Sequence, residues 1–120
     1  MNTIIWQRLE GACICLSALV LFVVLDDGIA WWLAVVLFLA PDISFAGYLA
    51  GSRFGAVAYN LVHVYAFGIV LLTVGLGLGA PVVAALGALW VAHAGFDRML
   101  GYGLKSPEGF NVTHLGTIGK

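Results

Sequence analysis

Charge is scarce in this sequence: only 9% of its 120 residues are Asp, Glu, Lys or Arg, and the formal net charge is -1. Five basic side chains cannot neutralise a phosphate backbone, so nucleic acid is excluded as a partner. Cysteine is almost as rare. Cys13 and Cys15 lie two apart on one predicted helix and point to nearly opposite faces, which excludes a disulfide between them; both read as buried thiols. No small-x-small cleavage site precedes Asp26 and Glu10 interrupts the entry, so the first apolar run reads as a span and not a signal peptide.

What fills the chain instead is apolar: 62% of residues are hydrophobic, and the mean hydropathy is +1.06. Four stretches, Thr3–Leu25, Ile29–Ala50, Gly55–Leu78 and Pro81–Leu100, each have about the 20 residues a helix needs to cross a bilayer core. Connections this short make sequential helices antiparallel neighbours. The expected fold is therefore all-α: a four-helix transmembrane up-and-down bundle over residues 1–100, with a short glycine-rich cytoplasmic tail over 101–120.

All five basic residues, Arg8, Arg53, Arg98, Lys105 and Lys120, fall on one side of that bundle, whereas the opposite connections hold only Asp26 and Asp27. The positive-inside rule then puts both termini in the cytoplasm. Trp6, Trp31, Trp32, Tyr48 and Tyr102 near span ends read as interfacial anchors, as does Lys105. Gly47, Gly51 and Gly55 form overlapping small-xxx-small repeats, a surface for close packing or a homo-oligomer. Pro41 inside the second span should kink it and free the Leu37 carbonyl.

Depth singles out the candidate site. Counting about 1.5 Å of rise per residue from the cytoplasmic ends, Asp42 lies about 13 Å in, His63 and His93 about 12 Å, Glu10 about 10 Å, Asn60 about 8 Å and Asp97 about 6 Å. Three ionisable residues on three helices thus share one plane. His93 and Asp97 are i and i+4, as are Tyr59 and His63, so each pair occupies one helical face. Ionisable groups at such depth are expensive facing lipid and mark a functional site.

Two imidazoles with carboxylates form a borderline nitrogen and oxygen donor set suited to zinc, iron or manganese. The leading reading is a metal-dependent membrane enzyme of hydrolase or oxidase type, acting on a lipid-like or small amphipathic substrate from the cytoplasmic leaflet. His63, His93 and Asp42 are its metal ligands, Asp97 and Glu10 its acid/base groups or further ligands, and Asn60 and Arg98 its contacts to a polar head. Two rivals stay open. One is a non-enzymatic structural or complex-forming subunit in which Glu10, Asp42 and Asp97 pair with Arg8, Arg53 and Arg98, and the histidines only hydrogen-bond between helices. The other is a haem bundle with His63 and His93 as axial ligands, which the surrounding carboxylates disfavour. A proton relay finds no path, because the outer half has almost no polar residue besides Thr73.

The runs PDISFAGYLAG (Pro41 to Gly51), YNLVHVY (Tyr59 to Tyr65), HAGFDRMLGYGLK (His93 to Lys105) and THLGTIG (Thr113 to Gly119) resemble the bacterial family catalogued as domain of unknown function 4260. The resemblance spans nearly the whole chain. It implies a small multi-pass protein of the bacterial cytoplasmic (inner) membrane, and it brings no activity, substrate or cofactor with it.

Overall fold

The computed structural model describes residues 2–26 and 28–119. The chain is mainly helical. Helix α1 (Thr3–Leu25) starts where Asn2 Oδ1 accepts the Ile5 N–H at 3.0 Å, a side-chain cap on one of the free amides of the first turn. Asp26 then closes the turn by accepting the Ile29 N–H; Asp27, its expected companion, lies outside the described residues. Helix α2 (Trp31–Leu39) runs directly into a 3-10 helix (Ala40–Ala50) at Pro41. The Leu37 carbonyl that proline would strand is taken by the Ala40 N–H, so tightening the helix answers the missing donor.

The third apolar stretch is not one helix. It breaks at Val64 into α3 (Ser52–His63) and α4 (Tyr65–Gly77), bent by 45°. Val64 is extended, with φ -75° and ψ 146°, which leaves the last carbonyls of α3 in need of donors. Helix α5 (Pro81–Leu100) opens on proline at its first turn and ends on Gly101, whose φ of 92° suits a left-handed cap.

Helix α5 is the centre of the molecule, packed along α1 on one side and α4 on another, while the 3-10 helix packs on α3. Apolar side chains gain little by leaving lipid for a neighbouring helix, so membrane helices associate through close packing of small residues. Ala84, Ala85, Ala88, Ala92 and Ala94 are all buried on α5. A Cβ built on Gly95 would lie 2.7 Å from the Cys15 amide and the Gly11 carbonyl of α1; one on Gly68 would lie 2.7 Å from the Val91 amide of α5. These glycines set the helix spacing. The repeat noticed in the sequence works within the chain: Gly47 packs on Ala58, Gly55 on the Tyr48 ring, and Gly51, at φ 107°, turns the chain between them.

Two helical segments, Thr3–Leu25 and Trp31–Ala50, are long and apolar enough to cross a membrane, and the bent α3–α4 pair makes a third if it is one span. The four-span expectation meets its limit at α5, whose hydropathy is lowered by His93, Asp97 and Arg98, all buried by its neighbours. Trp6, Trp31 and Trp32 are exposed. Cys15 is buried but Cys13 is exposed, because only one face of α1 meets α5.

The tail departs from the all-α expectation. Strands β1 (Lys105–Ser106), β2 (Gly109–Thr113) and β3 (Gly116–Thr117) form an antiparallel sheet in that order, pairing Lys105 with Thr113 and Thr113 with Gly116. The sheet lies on α3. Both ends of the chain meet here, since His114 Nε2 bonds Gln7 Oε1 at 2.9 Å and Arg8 donates to the Met99 carbonyl.

Candidate metal centre

Four side chains from three segments converge where α3 breaks: Asp42 on the 3-10 helix, His63 at the end of α3, and His93 and Asp97 on one face of α5. His63 is fully buried, His93 is 2% exposed and Asp97 8%. Their ligating atoms all lie within 4.8 Å of one another. The two Nε2 atoms are 3.2 Å apart. Asp42 Oδ1 is 3.2 Å from each of them, and Asp97 Oδ2 is 3.5 Å from that of His63 and 3.3 Å from that of His93.

Those separations have a direct coordination meaning. Ligands bound at about 2.0–2.1 Å stand about 3.3 Å apart around a tetrahedral ion and about 3.0 Å apart at adjacent octahedral positions. The five separations of 3.2–3.5 Å fit neighbouring positions around one small dication, and the two carboxylate oxygens lie within 4.8 Å of each other.

Proton counting leads to the same place. His63 Nδ1 lies 2.7 Å from the Tyr59 carbonyl and must carry a hydrogen to donate there. In the neutral ring Nε2 is then a bare lone pair, aimed at two carboxylate oxygens and at His93 Nε2. Such a meeting of acceptors is repulsive unless positive charge lies between them. Protons on both Nε2 atoms would satisfy two of the five contacts, whereas one central ion satisfies all of them.

The surroundings hold these groups still. Tyr59, 2% exposed, stacks on the His63 ring with centroids 3.6 Å apart, and its hydroxyl donates to Asp97 Oδ2 at 3.3 Å. Fixing a histidine ligand through its second nitrogen, as the Tyr59 carbonyl does for His63, is the usual support for a metal site. His93 is steadied by packing, edge-on to Phe38 at 5.3 Å, while its Nδ1 has no hydrogen-bond partner among the described residues.

The remaining expected site residues are placed differently. Arg98 caps the break in α3, donating to the His63 carbonyl at 3.1 Å and to the Tyr102 carbonyl at 3.3 Å. Asn60 clasps the tail: its Nδ2 donates to the Lys105 carbonyl at 2.8 Å and its Oδ1 accepts the Lys105 N–H at 2.7 Å. Glu10 stands apart, exposed in an apolar groove of about 420 Å³ lined also by Ile14, Tyr65 and Val91. Arg8 and Arg98 are bound to backbone carbonyls, and among the described residues no arginine lies within 4.0 Å of a carboxylate: Asp42 and Asp97 meet histidines, and not the arginines an ion-paired bundle requires. Nor can a porphyrin pass between the two Nε2 atoms, which the Asp42 and Asp97 carboxylates flank.

Lys105 is the residue that sequence reasoning missed. Read as an anchor, it is 5% exposed, with Nζ 3.8 Å from the Phe110 ring centre and 5.1 Å from that of Tyr59. Burial pushes its ammonium below the ordinary lysine pKa, against the pull of Asp97 and Asp42. The only hint was its place before Ser106-Pro107-Glu108-Gly109, a turn signal opening a hairpin. It lines a cavity of about 290 Å³ whose other walls include Asp42, Phe45, Tyr59, Asp97 and Phe110.

Fold and site together define a mainly helical protein, with two to three helices apolar enough to span a membrane and a buried His/Asp cluster able to hold a metal ion. Residues 4–118 match the family model Domain of unknown function (DUF4260), and the chain belongs to that family. Neither a curated protein nor a solved structure matches it.

Proposed function

We propose that the protein is a metal-dependent enzyme of the bacterial cytoplasmic membrane, with both termini cytoplasmic and a divalent zinc, iron or manganese ion held by Asp42, His63, His93 and Asp97. The observation that carries this reading is the bare His63 Nε2, fixed by the Tyr59 carbonyl and facing two carboxylates at contact distance. A bound ion supplies a Lewis acid for hydrolysis or a redox centre for oxidation.

What favours catalysis over a purely structural ion is access. Structural sites are closed on all sides, but the Asp42 side chain is 37% exposed and shares the 290 Å³ cavity with Asp97. In this scheme Asp97, hydrogen-bonded by Tyr59, is a ligand first; Asp42, on the open side, is the carboxylate free to shift and take a proton. Asn60 and Arg98 support the site through the backbone of Lys105 and His63, and Glu10 serves the separate groove.

Elemental analysis of protein purified in mild detergent, without added metal or chelator, tests the reading. Near-stoichiometric zinc, iron or manganese is expected, and it should disappear in a His63→Ala, His93→Ala double variant that keeps its helical circular dichroism. Wild-type protein that holds no metal even after metal supplementation overturns it.

A further inference from the structure

The cavity beside the cluster carries a second chemical statement. Lys105 is only 5% exposed, and among the described residues its ammonium makes neither a hydrogen bond nor an ion pair. Its contacts are the faces of Phe110 and Tyr59, which hold the cation over the cavity that Asp42 and Asp97 also line. Burying an ammonium is costly, and two ring faces replace only part of its hydration. Asp42 and Asp97 face it across the cavity, but among the described residues no carboxylate comes within 4.0 Å of it.

Charge balance says what the cavity can hold. Asp42 and Asp97 offset Lys105 and the nearby Arg98, so the site without metal is close to neutral. A dication in the His/Asp cluster leaves it two positive charges in excess, and a bound dication is the largest local charge in such a site. Both positive centres, the ion and the lysine, then border the same 290 Å³ space.

We infer that this cavity binds a phosphate monoester or inorganic phosphate, its oxygens bridging the metal centre and Lys105; the inference rests on the metal reading above. A phosphate monoester carries about -1.5 to -2 charges at neutral pH, which matches the excess, whereas a carboxylate would cover half of it. The volume suits one head group and not a whole lipid. Phe45 and Phe110, both partly exposed, supply apolar walls along which the chain of an amphipath could leave.

The test is equilibrium dialysis of radiolabelled inorganic phosphate against the full chain in detergent, comparing zinc-loaded, chelator-treated and zinc-loaded Lys105→Met protein, with metal content and circular dichroism recorded for each. Loaded wild type should bind phosphate, and both comparison samples should bind at least about tenfold more weakly. Lys105→Met should keep its metal, and Lys105→Arg should recover binding. Loaded wild type that binds no phosphate, or Lys105→Met that binds it equally, overturns the inference and leaves the metal reading standing. Wild type that takes up none of zinc, iron and manganese removes both. Competition identifies the source: phosphatidic acid in phosphatidylcholine vesicles displacing the label, where phosphatidylcholine alone does not, marks a lipid head group, and displacement by soluble phosphate alone marks the free ion.

Discussion

His63 and His93, thirty positions apart in the chain, bring their Nε2 atoms to 3.2 Å across the interface of α3 and α5. Two basic nitrogens at that distance repel unless something positive lies between, and the position of both rings is fixed by helix packing. The contact is therefore the natural place to perturb.

Metal should stabilise the fold through this contact. Adding zinc to chelator-treated protein at about 100 times its Kd is expected to raise the unfolding free energy by about 2.7 kcal/mol, since only the folded chain assembles all four ligands. Thermal melts in detergent with and without zinc measure it. The His63→Ala, His93→Ala variant should show no shift, and an equal shift in that variant counts against the assignment.

Asn60 is expected to matter for the tail. Replacing it by leucine removes both hydrogen bonds to the Lys105 backbone and leaves that N–H and carbonyl unanswered, at a cost of about 1–3 kcal/mol for each group that stays buried. Limited proteolysis should then cut after Lys105 much faster than in wild type, while α1 and α5 stay protected.

The docking of the tail should weaken in mild acid. His114 Nδ1 accepts the Leu104 N–H and its Nε2 faces Gln7 Oε1, an arrangement that requires the neutral ring with hydrogen on Nε2. Burial, reinforced by the positive charge of Arg98, holds its pKa below the ordinary imidazole value of about 6.5. A lowered folded-state value means the undocked tail binds the proton more readily, so the contribution is complete above about pH 6.5 and is lost as pH falls below it. Amide exchange over residues 104–118 should accelerate through that range, and His114→Ala should remove the pH dependence of those amides.

Glycine substitutions should separate packing from propensity. Gly95→Ala forces α5 away from the Cys15 amide and Gly11 carbonyl, for an expected loss of about 1–3 kcal/mol. Gly77 meets nothing within 4 Å and ends α4 without a positive φ, so Gly77→Ala should be neutral or stabilise by up to about 1 kcal/mol. Comparable losses from both would refute the close-packing account.

Much of the site was legible along the helix axes. Counting residues placed Asp42, His63 and His93 at one level, and these three do meet. The count puts Asp97 about 6 Å, one turn, from His93, yet the two meet at 3.3 Å because residues four apart share a helical face and their side chains reach across the turn. Glu10 has the right depth and the wrong direction. Its place in a groove that α1 shares with Tyr65 of α4 and Val91 of α5 depends on which face of α1 the Gly11–Gly95 approach turns to α5.

Composition and the spacing of apolar residues by themselves marked out the apolar helical segments and put Asp42, His63 and His93 at one level, since each is a property of position along one axis. Azimuth was left to tertiary packing. The break at Val64, the 3-10 helix after Pro41 and the glycine-set spacing of α5 rotate particular side chains inward, and they chose Asp97 over Glu10 as the fourth partner of the cluster. The folding of the tail onto α3, which turns Lys105 from a surface lysine into the buried cation beside that cluster, also waited on three-dimensional contacts, because a hairpin this short is stable only against a surface that its own sequence does not contain.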